Sequence, residues 1–159
     1  MEFHNINPIY DKKSKILILG SFPSVKSREQ KFFYGHPQNR FWKVISNITN
    51  SQLPQTVEEK KKMLLDNNIA VWDVIKSCDI VGSSDSSIEN VVINDISRIL
   101  NNANIQKIYA NGDKAYSLFK KYYSKDIDII KLPSTSPANA QYNFEKLCQE
   151  WRIILNGIN

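Results

Sequence analysis

The chain has 159 residues, 42% hydrophobic and 23% charged, with two cysteines and a formal net charge of +5; this fits one soluble domain, spanning 1–159, able to bury roughly two-thirds of its unfolded surface. Its apolar runs are too short to cross a membrane, and the N-terminal MEFHNINPIYDKKSK lacks the basic-then-apolar pattern of a secretory signal. Cys78 and Cys148 supply neither a disulfide framework nor a four-ligand metal site, so they read as small buried hydrophobes in a reducing, cytoplasmic setting.

In chain order, KILILG (15–20) is a short apolar run ended by glycine, the pattern of a buried strand feeding a turn. RFWKVISNIT carries apolar residues at 41, 42, 45 and 48, a helical spacing. TVEEKKKMLLDNN predicts a helix, with Thr56 as cap and Glu59 three residues on as in a capping box. IAVWDVI (69–75) is strand-like despite its Asp73, and the serine-rich 77–88 segment is a loop long enough to be functional. INDISRILNNA begins a helix with Asn94 or Asp95 as cap. KIYAN (107–111) is a third strand ended by Gly112, DKAYSLFKKYY follows as a helix, and IDIIKLP is a fourth strand stopped by Pro133. YNFEKLCQEWRIIL closes the chain as a helix.

Strands that are nearly continuous apolar runs and alternate with helices predict an α/β fold. The expected architecture is a three-layer sandwich with a central, mainly parallel four-stranded sheet flanked by helices. In open α/β sheets ligands bind outside the carboxyl ends of the strands. GSFPS follows strand one, ANGD strand three and LPSTSPANA strand four, so the unusual polar loops should meet on one edge.

The charge is localised. Residues 11–43 hold eight Lys/Arg against Asp11 and Glu29, a net of +6, whereas 44–159 hold 13 of each sign. A local basic field attracts polyanions, and a solvated charged surface is the plainer reading. Within this region YGHPQNRFW (34–42) gathers rings, carboxamides and a guanidinium.

GSFPS, YGHPQNRFWKVI, WDVIKSCDIVGSSDSSI and LPSTSPANA together resemble the uracil-DNA glycosylase superfamily, over most of the chain from about Leu17 onward. HPQNRFWKVI is similar to the mismatch-specific uracil/thymine branch, and the full set resembles the hypoxanthine-DNA (deoxyinosine) branch more closely. One departure matters. Where the uracil and mismatch branches carry an Asp or Asn that handles water, this sequence has Phe22, and the resemblance implies that Asn39 takes the catalytic position instead. Two cysteines exclude the iron–sulfur branches.

The resemblance implies a monofunctional glycosylase of base excision repair that flips a deaminated base out of double-stranded DNA. Hypoxanthine is the first expectation. Asn39 would accept a hydrogen bond from water and donate one to the substrate, holding the water below the sugar carbon; a helix cap is its plainer role, compatible with the first. Tyr34 is the expected stacking partner of the base, with a half-buried core ring as the alternative. Phe41 and Trp42 read as core. Gly20, Ser21, Phe22, Pro23 and Ser24 complete the base pocket, with the backbone N–H groups of Ser21, Phe22 and Ser24 and a side chain of the serine loop as candidate donors to the departing base. His36 reads chiefly as a loop-shaping histidine, and alternatively as a donor to base or phosphate. Ser134, Thr135 and Ser136, ahead of a helix, are expected on phosphate oxygens, with Pro137, Ala138 or Asn139 as the wedge entering the vacated stack. Lys26, Arg28, Lys31 and Arg40 are the expected DNA-facing cations.

Asp73, Asp79 and Asp85 have no recognised ligand spacing, and Asp85 is expected to order its loop by accepting backbone N–H bonds. No metal or cofactor is needed, and a monomer is expected, at the nucleoid if the source is prokaryotic. The alternatives are uracil or mismatch specificity on the same scaffold, a non-catalytic nucleic-acid-binding module, and a flavodoxin-like small-molecule binder. The last is weakened by the single glycine of GSFPS.

Overall fold

The computed structural model describes residues 1–4, 6–123 and 126–158. Four parallel strands form its centre: β2 (Ile16–Gly20), β3 (Ile69–Asp73), β6 (Lys107–Asn111) and β7 (Ile130–Leu132), in the order β3-β2-β6-β7. Residues 16–19 and 69–71 are fully buried, which is why both strands are continuous apolar runs: each is covered on both faces. Chain order reverses on either side of β2, so a switch point lies between the carboxyl ends of β2 and β6.

The flanking helices follow their sequence signals. In α2 (Phe41–Ile48) Phe41, Trp42, Val44, Ile45 and Ile48 are buried, giving the expected apolar stripe. In α3 (Val57–Asp66) the capping box of Thr56 and Glu59 is formed in both directions. α5 (Asp113–Tyr122) follows β6, and α6 (Phe144–Trp151) packs against α2 with Asn143 as its cap. Both cysteines are buried and free.

Three expectations need correction. The run 69–75 is two strands, not one. The chain leaves the parallel sheet after Asp73, and β4 (Ile75–Asp79) pairs antiparallel with β5 (Glu89–Ile93) and with β1 (Glu2–Phe3) in a second, three-stranded sheet. The hinge is held by Val74 N–H donating to the Gly20 carbonyl at 2.8 Å and Ile75 N–H to the Ser21 carbonyl at 3.1 Å. Residues 70–75 are buried throughout, so hydrophobicity carries no sign of the bend. Second, the helix expected over 93–103 is only α4 (Ser97–Leu100). Asn94 is buried and donates to the Asp73 carbonyl, while Asp95 accepts from Ser97 N–H in a cap-like bond. Third, the closing helix expected from Tyr142 starts two residues later. The loop turns on itself and α6 begins only at Phe144.

Candidate active site at the carboxyl edge of the sheet

A cleft of about 300 Å³ opens at the switch point, the lower end of the roughly 300–1,000 Å³ range of small-ligand pockets. Gly20, Ser21, Phe22 and Ser24 enter it from the end of β2; Tyr34, His36 and Asn39 from the next loop; and 134–138 from the loop after β7. Ser27, Asp73, Ser83, Asp85 and Asn111 also line it; Ser83 and Asp85 belong to the serine loop from which a donor was expected, and the other three were not expected as site residues. Pro23 is buried beside the cleft, and Asn139 lines an adjoining one behind the 134–138 loop.

Asn39 is fixed by its oxygen. Its Oδ1 accepts from Phe41 N–H at 2.9 Å, at the start of α2, and from the Thr135 hydroxyl at 2.8 Å. A backbone N–H can only donate, so the atom facing it must be the oxygen. Thr135 Oγ1 in turn accepts from Asn111 Nδ2 at 3.0 Å, and Asn111 Oδ1 accepts from Thr135 N–H at 3.0 Å. A chain Asn111–Thr135–Asn39 thus ties together β6, the fourth loop and the second. With its oxygen engaged twice, Asn39 has Nδ2 left, and among the described residues that group has no hydrogen-bond acceptor. This reverses the expected division of labour: the amide's free end is a donor.

The floor is formed by Gly20, Asp73 and Tyr34. A Cβ placed on Gly20 would lie 2.5 Å from Asp73 Oδ1 and 3.1 Å from the Tyr34 hydroxyl, so only glycine lets these two side chains reach over the end of β2. Tyr34 sits at φ 50°, a left-handed conformation rare for a ring-bearing residue, with Phe41 stacked on it at 4.1 Å. Its hydroxyl is buried without a hydrogen-bond partner among the described residues. Burial first, and the nearby Asp73 charge second, hold its proton on well above the ordinary tyrosine range, and the nearby Asn111 amide offsets this only in part.

Asp73 is 3% exposed and its Oδ2 likewise lacks a partner. Burial, then the charge of Asp85, push its carboxyl up to about 7. His4, buried beneath it, is no counter-charge. Its Nδ1 accepts from Ile6 N–H and its Nε2 faces the Ile75 carbonyl, the pattern of a neutral ring, and burial lowers its proton affinity further. Its Nε2 lies 3.9 Å from Asp73 Oδ2, beyond hydrogen-bond reach.

Comparisons with known proteins identify the family. The sequence profile of the uracil DNA glycosylase superfamily matches residues 8–156. The chain belongs to that superfamily. It is 34% identical over 148 residues to a hypoxanthine DNA glycosylase of Methanosarcina acetivorans, covering 92% of this chain and 93% of the relative. It is also 32% identical over 117 residues to a hypoxanthine DNA glycosylase of Methanosarcina barkeri, covering 72% and 74%. A solution NMR structure from M. acetivorans, provisionally described as a uracil DNA glycosylase, superimposes with a TM-score of 0.81 at 31% identity, covering 98% of this chain and 97% of that one.

In this superfamily member several residues expected on DNA have internal partners instead. Arg28 donates to the carbonyls of Pro23 and Gly82, pairs with Glu2 at 3.3 Å, and lies over the Phe22 ring. It joins α1 (Val25–Gln30), the serine loop and β1. Arg40 donates to the carbonyls of Ser136, Asn139 and Tyr142, a clamp on the fourth loop. Thr135 is fully buried, its hydroxyl committed to Asn39, so it is out of reach of phosphate. Lys26 and Lys31 are exposed, Lys26 beside Glu29 at 3.7 Å. Ser134 and Ser136 accept backbone N–H bonds from Ser136 and Ala138, which leaves their O–H protons available to donate, and Pro137 and Ala138 stand exposed at the tip. His36 Nδ1 accepts from Gln38 N–H, the loop-shaping role, which places a neutral ring's proton on Nε2. Ser24 caps α1.

Asp85 does order the serine loop, but by accepting from the Ser21 hydroxyl at 2.9 Å rather than from backbone. Asp79 is elsewhere, with the N-terminal ammonium and Asn90. Among the described residues no group of three or more His, Cys, Asp or Glu is placed to hold a metal ion, and no helix is long and apolar enough to cross a membrane. Of the unexpected residues, Asn111 ends a strand whose tip was already expected at the site. Asp73 had a legible signal too, a carboxylate at the end of a buried apolar run.

Because the floor depends on a missing Cβ, Gly20→Ala should lower the rate of base release on the order of a hundredfold. The methyl group displaces Asp73 and Tyr34 by the ångström or so that separates productive from unproductive alignment. Single-turnover kinetics on a lesion-bearing duplex, with circular dichroism to confirm the fold, check this; an undiminished rate would mean that the floor does not touch the substrate.

Proposed function

We propose that this protein is a monofunctional DNA glycosylase that hydrolyses the N-glycosidic bond of deaminated bases in duplex DNA, hypoxanthine above all. It would work as a monomer without metal or cofactor. The observation that carries this reading is Asn39 Nδ2, the free end of an otherwise immobilised amide, in a base-sized cleft at the switch point of the sheet. The two named relatives support hypoxanthine as the base.

In this reading the flipped base enters between Tyr34 and the 134–138 loop, whose available hydroxyls meet the flanking phosphates and whose tip at Pro137 and Ala138 enters the gap. The base leaves with the bonding electron pair, and the sugar carbon becomes cation-like. Water held by Asn39 Nδ2 keeps a lone pair for that carbon. No strong base is required when the bond to the leaving group breaks first, which is why a carboxamide suffices.

Duplexes containing inosine, uracil or a G·T mismatch, incubated with the protein and then treated with alkali, test the proposal. Strand scission is expected with inosine foremost; strong release of uracil and none of hypoxanthine would reverse the assignment. Duplex affinity should fall steeply as salt rises.

A further inference from the structure

The polar atoms on the cleft floor are unusual in having no partners. Asp73 and Tyr34 both line the cleft and both reach over Gly20, Asp73 with its Oδ1; the Tyr34 hydroxyl and Asp73 Oδ2, the latter turned toward His4, are buried without a hydrogen-bond partner among the described residues. A buried polar group without a partner is costly, so a carboxyl whose inner oxygen has none favours its neutral form and leaves Oδ1 toward the cleft. The groups facing Asp73 are neutral His4 from the N-terminal segment, the Tyr34 phenol, the peptide of Gly20 and, across the cleft, the Asp85 carboxylate. None is a cation. An ionised Asp73 would oppose the negative charge that a departing base acquires, whereas a protonated one would donate to it.

We propose that Asp73 is the general acid for the departing purine, donating the proton of its neutral carboxyl from the cleft floor to N7 of hypoxanthine as the glycosidic bond breaks. This rests on the glycosylase reading of the cleft. The C1′–N9 electron pair goes to the purine and the Asp73 proton goes to N7, so the base departs as neutral hypoxanthine and Asp73 is left as carboxylate. The oxygen of water bonds to C1′ and that water loses one proton; solvent reprotonates Asp73. N7 is the most basic ring nitrogen left free in inosine, and uracil has no counterpart of it, so the step also favours a purine. The raised carboxyl, near 7, keeps an appreciable protonated fraction at neutral pH, the condition a general acid needs.

The test is the pH dependence of single-turnover release from an inosine-containing duplex, for the wild type and for Asp73→Asn. The wild-type rate should be level in mild acid and fall about tenfold per pH unit once Asp73 ionises. Asp73→Asn donates a hydrogen bond but transfers no proton, so it should be about a hundredfold slower at pH 6 and level across the range. A wild-type rate that is level or rises with pH, or a variant that matches the wild type, overturns the assignment of the acid while leaving the glycosylase reading intact. No release of hypoxanthine by the wild type at any pH overturns both.

Thermal melting supplies a readout independent of activity. With its folded value above its unfolded one, Asp73 binds more protons in the folded state between about 4 and 7. Stability should therefore fall as pH rises through that window. Asp73→Asn should melt higher than the wild type at pH 8, and a lower melting temperature there would contradict a neutral, unpartnered carboxyl on the floor.

Discussion

Asn39→Ala is expected to abolish hypoxanthine release, by a factor on the order of a thousand, while leaving duplex binding within a few fold. Alanine removes two things: the donor in the cleft and the oxygen that accepts Phe41 N–H at the start of α2. The second is a local i→i+2 bond one residue ahead of Arg40, the N-cap of α2, and is worth about 1 kcal/mol of stability, so a loss of activity in this variant alone is ambiguous. Asn39→Asp separates them. A carboxylate still accepts from Phe41 N–H and from Thr135, so the variant should fold and melt like the wild type, yet it has no N–H to offer. If Nδ2 holds the water or the substrate, Asp is as inactive as Ala. If the oxygen were the working atom, Asp would match or exceed the wild type. Single-turnover rates and melting curves on the same three proteins decide between these outcomes.

Structure is legible in the sequence where one residue type has one dominant physical role. Glycine after KILIL, the Thr56/Glu59 box and the stripe of α2 are local patterns, and each appears as expected. Parallel pairing followed from doubly buried strands, and the convergence of three loops followed from the parallel sheet. The illegible features are non-local. The bend after Asp73 lies inside a run buried on both sides, and the second sheet exists because β1, β4 and β5 come from segments as much as 86 residues apart, Phe3 to Glu89. The fates of Arg28 and Arg40 were illegible for a different reason. A guanidinium reads the same in sequence whether it meets phosphate or protein carbonyls, and only coordinates show the carbonyls of Gly82, Ser136 and Asn139 already in its reach. The excess of basic charge over 11–43 is real, but two of its members hold loops together.

Thr135 should prove the most sensitive position outside the residues that touch substrate. It is fully buried, it donates to Asn39 Oδ1, and it both receives from and donates to the side chain of Asn111. Valine has the same shape without the hydroxyl. Thr135→Val leaves Asn111 Nδ2 without its acceptor, a penalty of about 1–3 kcal/mol, and leaves the Asn39 amide held only by Phe41 N–H. One bond fixes a direction but not a plane, so the amide can rotate and carry Nδ2 away from the sugar carbon. The expected result is a rate lowered about 10- to 100-fold with KM changed far less, since nothing that grips the DNA is removed. Thr135→Ser restores the hydroxyl and should recover most of the rate. A variant that is merely loosened would lose affinity and rate together and would not be rescued by serine beyond its gain in stability. The split between kcat and KM therefore separates a residue that aims Asn39 from one that only fills space behind it.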